Sequence, residues 1–520
     1  MHRYLYFTVF ISGMTTLAVE MSASHLLGPY FGDSRLVWAS IIGLILIYLT
    51  AGYFLGGRWA DRSPYPKTMY TVLAWGAFTA GIVPLIAGPI LRPAADAFDR
   101  FELGVLFGSF AAVLILFSVP ITLLGTISPF AIRLAMTDPL KAGRVSGQIY
   151  AISTMGSFLG TFLPVLVLIP WLGTRATFLV FSALLLLVAM IGLWHTIGFR
   201  ALLPFAWMPV ILAVLALLLI GKPIKTTAGQ IYETESSYNY IQVLERDGYR
   251  YLRLNEGQGI HSQYHPSQLF FGGPWEQFLA APFFNASPYD PEQVESMAII
   301  GLAAGTIARQ ATAVFGAIPI DGFELDPQII SVGREFFNMN EPNLNAVAQD
   351  GRWGLAHSSR RYTIISVDAY RPPYIPWHLT TQEFFQEVRA HLADNGVLAI
   401  NVGRAPHDRR LIEVLVGTMQ TVFPSVFVMD IPDTYNSIIY ATMMPADWIN
   451  LYKNYLSLSE SDDIHPLLIE VIKRALLYRQ PTPLSKTVFY TDDRAPIEWV
   501  THSLILNFIL AGSMEDIQEK

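Results

Sequence analysis

Apolar runs long enough to span a bilayer crowd the first part of this chain, and they constrain its fold more than any other feature. Seven can be counted, each of about 20 residues. They lie near Leu5–Leu27, Leu36–Leu55, Met69–Leu91, Leu103–Leu124, Val145–Ile169, Ala176–Trp194 and Leu203–Ile220. Hydrocarbon offers no partner to a free backbone N–H or C=O, so such runs must be helices. The competing reading is one very large buried helical core. Seven runs in series with short polar loops fit a multi-pass membrane domain better. The first loop, Gly56 to Lys67, carries three bases and one acid, and Asp138 to Arg144 carries two bases and one acid. The excess of bases places both loops on the cytoplasmic side. Seven crossings would then leave everything after Ile220 outside, against the bases Lys222 and Lys225. Either the count of seven is off by one or the soluble part is external; a cytoplasmic soluble domain in an integral membrane protein is the expectation. Glu20 lies inside the first run, where an ionisable side chain is a functional candidate. A hydrogen bond to a neighbouring helix would explain it equally well.

Composition separates the two halves. Hydrophobic residues make up 52% of the 520-residue chain and charged residues only 14%, and the apolar excess sits before residue 222. The net charge of −7 gives no basic footprint for nucleic acid, and the absence of cysteine excludes disulfides and thiolate metal sites. No metal is expected. The sequence divides into a transmembrane domain (1–222), a hairpin-containing lead (223–290) and a nucleoside-binding domain (291–520). The lead holds a hairpin from Tyr238 to Leu254 around Asp247-Gly248. Helix then follows from Trp275 to Ala281. The third part alternates strand and helix patterns and ends in two closing strands, Val426–Met429 and Ser437–Met443. That pattern predicts a doubly wound Rossmann-like α/β sheet with an antiparallel edge.

Met297 to Arg309 reads as a buried strand, a small-residue turn from Gly301 through Ala303 to Gly305, and a helix start. A second strand ends in Glu324, whose carboxylate can accept both hydrogen bonds of a ribose diol. Asp350-Gly351 follows the third strand and Asp368 ends the fourth. Strand-end acids also cap helices, so each has a structural alternative.

With these residues, the part from about Tyr232 to Val500 resembles the spermidine synthase family of aminopropyltransferases, and the whole chain resembles its membrane-fused members. Further matches are Ser236-Ser237-Tyr238 and the ending Thr491-Asp-Asp-Arg-Ala-Pro-Ile-Glu498. The resemblance implies a cofactor turn at Gly301 to Gly305, a ribose acid at Glu324, an adenine contact at Asp350-Gly351 and a catalytic Asp368. It implies decarboxylated S-adenosylmethionine or S-adenosylmethionine as co-substrate, with an amine acceptor, a polyamine or a lipid-borne amine. A homodimer is among the expected assemblies, and the lipid bilayer is the other partner. Three positions depart from the family pattern. Ala304 and Arg371 stand where members carry aspartates, and His261 stands where they carry glutamine. The loss of two anions disfavours a free diamine, and Arg371, with Tyr370 and His261, becomes a candidate acceptor contact. A plain methyltransferase is the alternative, and a transporter or sensor with a nucleoside-binding domain is the third reading.

Overall fold

The computed structural model describes residues 2–31, 35–100, 104–219, 222–225, 227–255, 259–370, 375–405, 408–461, 463–483, 488–497 and 500–501. The chain packs as two compact units. One comprises Met1–Gln242 with Leu254–Gly257, the other Val243–Arg253 with Gln258–Lys520. The first unit therefore continues past the composition change at residue 222.

Unit one is helical. Its helices are α1 (His2–Phe31), α2 (Arg35–Arg62), α3 (Pro66–Arg100), α4 (Gly104–Gly125), α5 (Ile127–Ala135), α6 (Ala142–Leu163), α7 (Ile169–Ile197) and α8 (Trp207–Leu219). A π-helical stretch, Pro164–Leu168, joins α6 to α7. Close packing of α1 on α6 depends on small residues. A Cβ on Gly13 would stand 2.8 Å from the Ser153 hydroxyl, and Gly156 and Gly160 face the α1 backbone at Phe10 and Met14. Seven spans are not confirmed: five segments qualify among the described residues. Arg3–Phe31, Val37–Arg62, Pro66–Leu91, Phe110–Ala135 and Pro139–Ile197 are long and apolar enough to cross a membrane. Two of the seven runs merge in the last of these, 59 residues long. At 1.5 Å per residue that is about 90 Å, far beyond a hydrocarbon core of about 30 Å. The segment breaks at Gly173, where φ is +80°. The seventh run yields a helix of only 13 residues, about 20 Å long and short of a full crossing.

The Gly173 break is capped from outside the helix. Glu235 closes strand β1 (Gln230–Glu235). Its carboxylate accepts from Thr174 N at 2.8 Å and from Thr174 Oγ1 at 2.5 Å. The helix restarting at Thr174 thus finds an acceptor for one of its free N–H groups, as helix N-termini require. Burial raises the Glu235 carboxyl pKa, against the lowering effect of both Thr174 hydrogen bonds.

Strands β2 (Tyr240–Arg246), β3 (Tyr249–Leu254) and β4 (Ile260–Tyr264) follow. The hairpin turn falls at Asp247-Gly248 as expected, and β3 pairs antiparallel with β4 across a bulge at Leu252/Arg253. The helix expected from Trp275 is a 3₁₀ run, Trp275–Phe284, buried along its whole length.

Unit two then alternates: β5 (Met297–Ile300), α9 (Thr306–Phe315), β6 (Ile320–Glu324), α10 (Pro327–Phe336), β7 (Leu344–Ala348), α11 (Gly351–Ala356), β8 (Tyr362–Val367), α12 (Gln382–His391) and β9 (Leu392–Gly403). It continues with α13 (Arg410–Gln420), β10 (Ser425–Asp430), β11 (Asn436–Thr442), α14 (Trp448–Ser459), α15 (Pro466–Leu477) and the two-residue β12 (Arg479–Gln480). The sheet order is β12-β10-β11-β9-β8-β5-β6-β7. The five strands from β9 to β7 are parallel, and β10 and β11 form the antiparallel edge. Alternation along the strands builds two cores. Met297, Ile299, Ile364 and Val397 join one apolar cluster, while Ala298, Ile300, Ile365 and Leu398 join the other. Burial on both faces is why these strands read as unbroken apolar runs. Strand order reverses beside β5, the first strand of the alternation. Ligands of doubly wound sheets bind at such a point, beyond the strands' carboxyl ends.

Candidate active site

The turn after β5 is fixed from three sides. Gly301 and Leu302 both donate their N–H groups to Phe323 O, at 2.9 and 3.0 Å. Gly301 has φ +88°, and a Cβ there would lie 2.5 Å from Asp368 O. Glycine is required both for the conformation and for the approach of β8's exit. Ala303 sits in the left-handed region at φ +48°, a strain that the surrounding bonds must hold. Its N–H donates to Glu324 Oε2 at 3.0 Å. The next N–H, of Ala304, donates to Ser262 Oγ at 2.9 Å. Thr306 Oγ1 accepts from Gln263 N and donates to Gln263 O, each at 3.0 Å. Strand β4 therefore clamps the turn with Ser262 and Gln263. Gly305 starts α9 at φ +84°, with the Met339 side chain filling the space a Cβ would need.

Glu324 is half-buried at the end of β6. Its Oε2 is held by Ala303 and its Oε1 accepts from Asp326 N at 3.1 Å. Burial pushes its carboxyl pKa up to about 7, opposed by those backbone hydrogen bonds. A carboxylate offers about four acceptor sites, so these backbone bonds do not exhaust its capacity. Asp326, by contrast, is fully buried and caps α10 through Gln328 N at 3.0 Å.

Asp368 follows β8, and its N–H donates to Ile300 O at 2.8 Å. Asn401 Nδ2 on β9 donates to its Oδ1 at 2.9 Å. Burial raises the Asp368 pKa to about 6, against the lowering effect of Asn401. Tyr370 is half-buried, and its hydroxyl accepts from Gly403 N at the end of β9. Asp350 has both oxygens engaged. Oδ1 caps α11 through Trp353 N at 2.9 Å, and Oδ2 meets His378 Nε2 at 3.0 Å. The His378 hydrogen bond, foremost, holds its carboxyl below the usual range. Gly351 packs where any Cβ would strike Ile300.

His261 precedes Ser262 on β4. It is half-buried, its Nε2 makes no hydrogen bond among the described residues, and burial lowers its pKa to about 4. It is neutral at pH 7. Arg371 lies outside the described residues. Glu20, in unit one, is 8% exposed and belongs to the helical bundle, not to this site. No group of three His, Cys, Asp or Glu suited to a metal occurs among the described residues.

The structure thus gathers Gly301, Ala303, Glu324 and Asp368 around one turn. Asn401, Ser262 and His378 escaped the sequence reading. Asn401 carried a usable signal, as the polar end of a predicted apolar strand. Ser262 and His378 lie in segments without a regular pattern.

A small-residue turn, a strand-end acid and a second acid meet at the reversal of strand order of a Rossmann-like α/β domain. Residues 290–453 match the spermine/spermidine synthase domain. The chain is 31% identical over 282 residues to the probable polyamine aminopropyl transferase of Bifidobacterium longum (strain NCC 2705), covering 51% of this chain and 61% of that protein. It is 27% identical over 228 residues to the polyamine aminopropyltransferase of Vibrio vulnificus (strain CMCP6), covering 41% and 72%. A probable spermidine synthase from Corynebacterium glutamicum ATCC 13032 aligns in structure with a TM-score of 0.38 and 19% identity, covering 46% of this chain and 89% of that one. The chain spans less than two thirds of the first of these relatives. Over residues 290–453 the chain resembles the spermidine synthase family.

Proposed function

We propose that this protein is an integral-membrane transferase whose α/β unit moves an aminopropyl group from decarboxylated S-adenosylmethionine to an amine. The observation that carries the reading is the approach of Asp368 to the Gly301 turn, with Glu324 bonded to the same turn. In the proposed roles, Glu324 accepts the ribose hydroxyls and the Gly301–Gly305 backbone lies along the nucleoside. Asp350-Gly351 faces the base. The acceptor nitrogen attacks the carbon bonded to sulfonium, the C–S bond breaks, and its electron pair leaves with the neutral thioether. The proton lost by nitrogen passes to the Asp368 carboxylate, whose raised pKa suits that transfer near neutral pH. The leaving group needs no acid, so positioning is the main demand.

Ala304 and Arg371 supply no anion for a free diamine, which supports an acceptor held at or delivered by the membrane, on the cytoplasmic side. The test is turnover by the full-length protein in lipid nanodiscs, with putrescine or a lipid extract as acceptor and either nucleoside as donor. Alkylation only with the decarboxylated donor supports the proposal, and efficient use of putrescine removes the membrane-held acceptor. The second reading is methyl transfer from S-adenosylmethionine. It is favoured by Ala304, buried at 2% exposure where the family's aspartate stands. Methyl transfer alone in that assay would establish it. Light scattering of the same preparation tests the homodimer.

A further inference from the structure

Unit one contains a groove of about 570 Å³ between α2, α3 and α4, within the range of small-ligand sites. Lys67, Thr71 and Trp75 line it from α3, Trp59 from α2, and Val119 and Leu123 from α4. The three α3 residues fall on every fourth position, so they form one ridge along the helix. The ridge continues to Thr79, also in the lining. From Lys67 to Thr79 the rise is about 18 Å, near the depth of one leaflet.

The groove is polar at one end only. Lys67 stands in the first turn of α3, exposed, and makes no ion pair among the described residues. The nearest carboxylate in sequence, Asp61, faces Arg133 at 3.4 Å instead. Thr71, one turn further in, makes no side-chain hydrogen bond among the described residues. At the deep end the Thr79 hydroxyl is spent on Trp75 O at 2.8 Å, which leaves apolar walls. Trp59 and Trp75 remain 43% and 40% exposed, as indoles at a membrane interface do.

We propose that this groove binds one anionic phospholipid, its phosphate at Lys67 and Thr71 and one acyl chain along Trp75, Val119 and Leu123. The charge argument selects the headgroup. Arg58, Arg62 and Lys67 outnumber Asp61 in the adjoining segment, and a lone ammonium discriminates for net negative charge. The proposal rests on the reading of these helices as membrane-spanning, but not on the reaction assigned to the other unit.

The experiment reconstitutes the full chain in nanodiscs of phosphatidylcholine with one fifth phosphatidylglycerol. After stepwise delipidation, retained lipid is counted by native mass spectrometry. Wild type should retain about one phosphatidylglycerol per chain, at least about fivefold over phosphatidylcholine. Lys67→Glu should abolish the preference. Leu123→Trp, which fills the groove without touching charge, should lower retention of both lipids. Equal retention of the two lipids by wild type overturns the proposal, as does unchanged preference in Lys67→Glu or unchanged retention in Leu123→Trp. An alkaline wash made beforehand separates the failures. Protein released by it contradicts the membrane reading as well, whereas protein that stays membrane-bound without lipid preference contradicts the groove alone.

Discussion

At the scale of single residues, the proposed chemistry turns on two carboxylates. Glu324 must be ionised to accept from a ribose diol, and its pKa is about 7. Below that pH it is protonated and loses acceptor capacity, so nucleoside affinity should rise from pH 6 to pH 8. Calorimetric titration across that range should show the rise in wild type and a weak, pH-independent affinity in Glu324→Gln. Asp368 titrates near 6, so turnover should fall as pH drops through 6. Asp368→Asn should slow turnover by about 10²–10⁴ with donor binding kept. Asn401→Ala removes the hydrogen bond that lowers the Asp368 pKa, so the acid limb of the rate profile should move to higher pH. Both acids were legible in the sequence, because strand ends in a doubly wound sheet are where ligand contacts fall. Asn401 was legible only as the polar end of an apolar strand, because its role depends on β9 lying beside β8, a pairing that local pattern does not state.

Among the elements, the β5 turn carries the tightest constraint. Gly301→Ala would force a side chain into φ +88° and within 2.5 Å of Asp368 O. It should cost about 1–3 kcal/mol of stability and abolish donor binding, read by thermal melting and by calorimetry. A second test falls on the joint between α11, α12 and the Thr491–Arg494 segment. Arg352 there bonds Glu387 at 2.6 Å and Asp492 at 2.8 Å, with its own side chain 17% exposed. Arg352→Met leaves half-buried Glu387 and exposed Asp492 without their partner and should cost about 1 kcal/mol after allowance for solvent screening. An unchanged melting temperature would show the joint to be idle. The parallel strands were legible because burial on both faces leaves an apolar run in the sequence. The run at Trp275 was legible as helix but not as 3₁₀, since burial all round erases the amphipathic period. Helix α14 was missed.

At the scale of the whole molecule, sequence located the change from apolar helices to an α/β sheet but not the limit of the first compact unit. Composition marks where apolar runs stop, near residue 222. Packing carries the unit on to Gln242, through polar contacts that composition does not register. Arg175 donates to Lys222 O at 2.8 Å, Tyr30 to Ile224 O at 3.0 Å, and Tyr240 to Glu233 at 2.5 Å. The span count is left unconfirmed for a related reason. Hydropathy counts apolar runs, whereas a crossing also depends on where a helix turns, and Gly173 sets that.

The cap on Thr174 also imposes an order in time. Glu235 leaves the ribosome 61 residues after Thr174, a lag of about 3–12 seconds at ordinary elongation rates. Throughout that interval the helix that restarts after Gly173 has no carboxylate at its N-terminus. A nascent chain arrested before Glu235 would hold every apolar run and still lack a finished α7. Every apolar run is therefore made before the carboxylate that caps α7, and the first strand of the chain completes a helix made earlier.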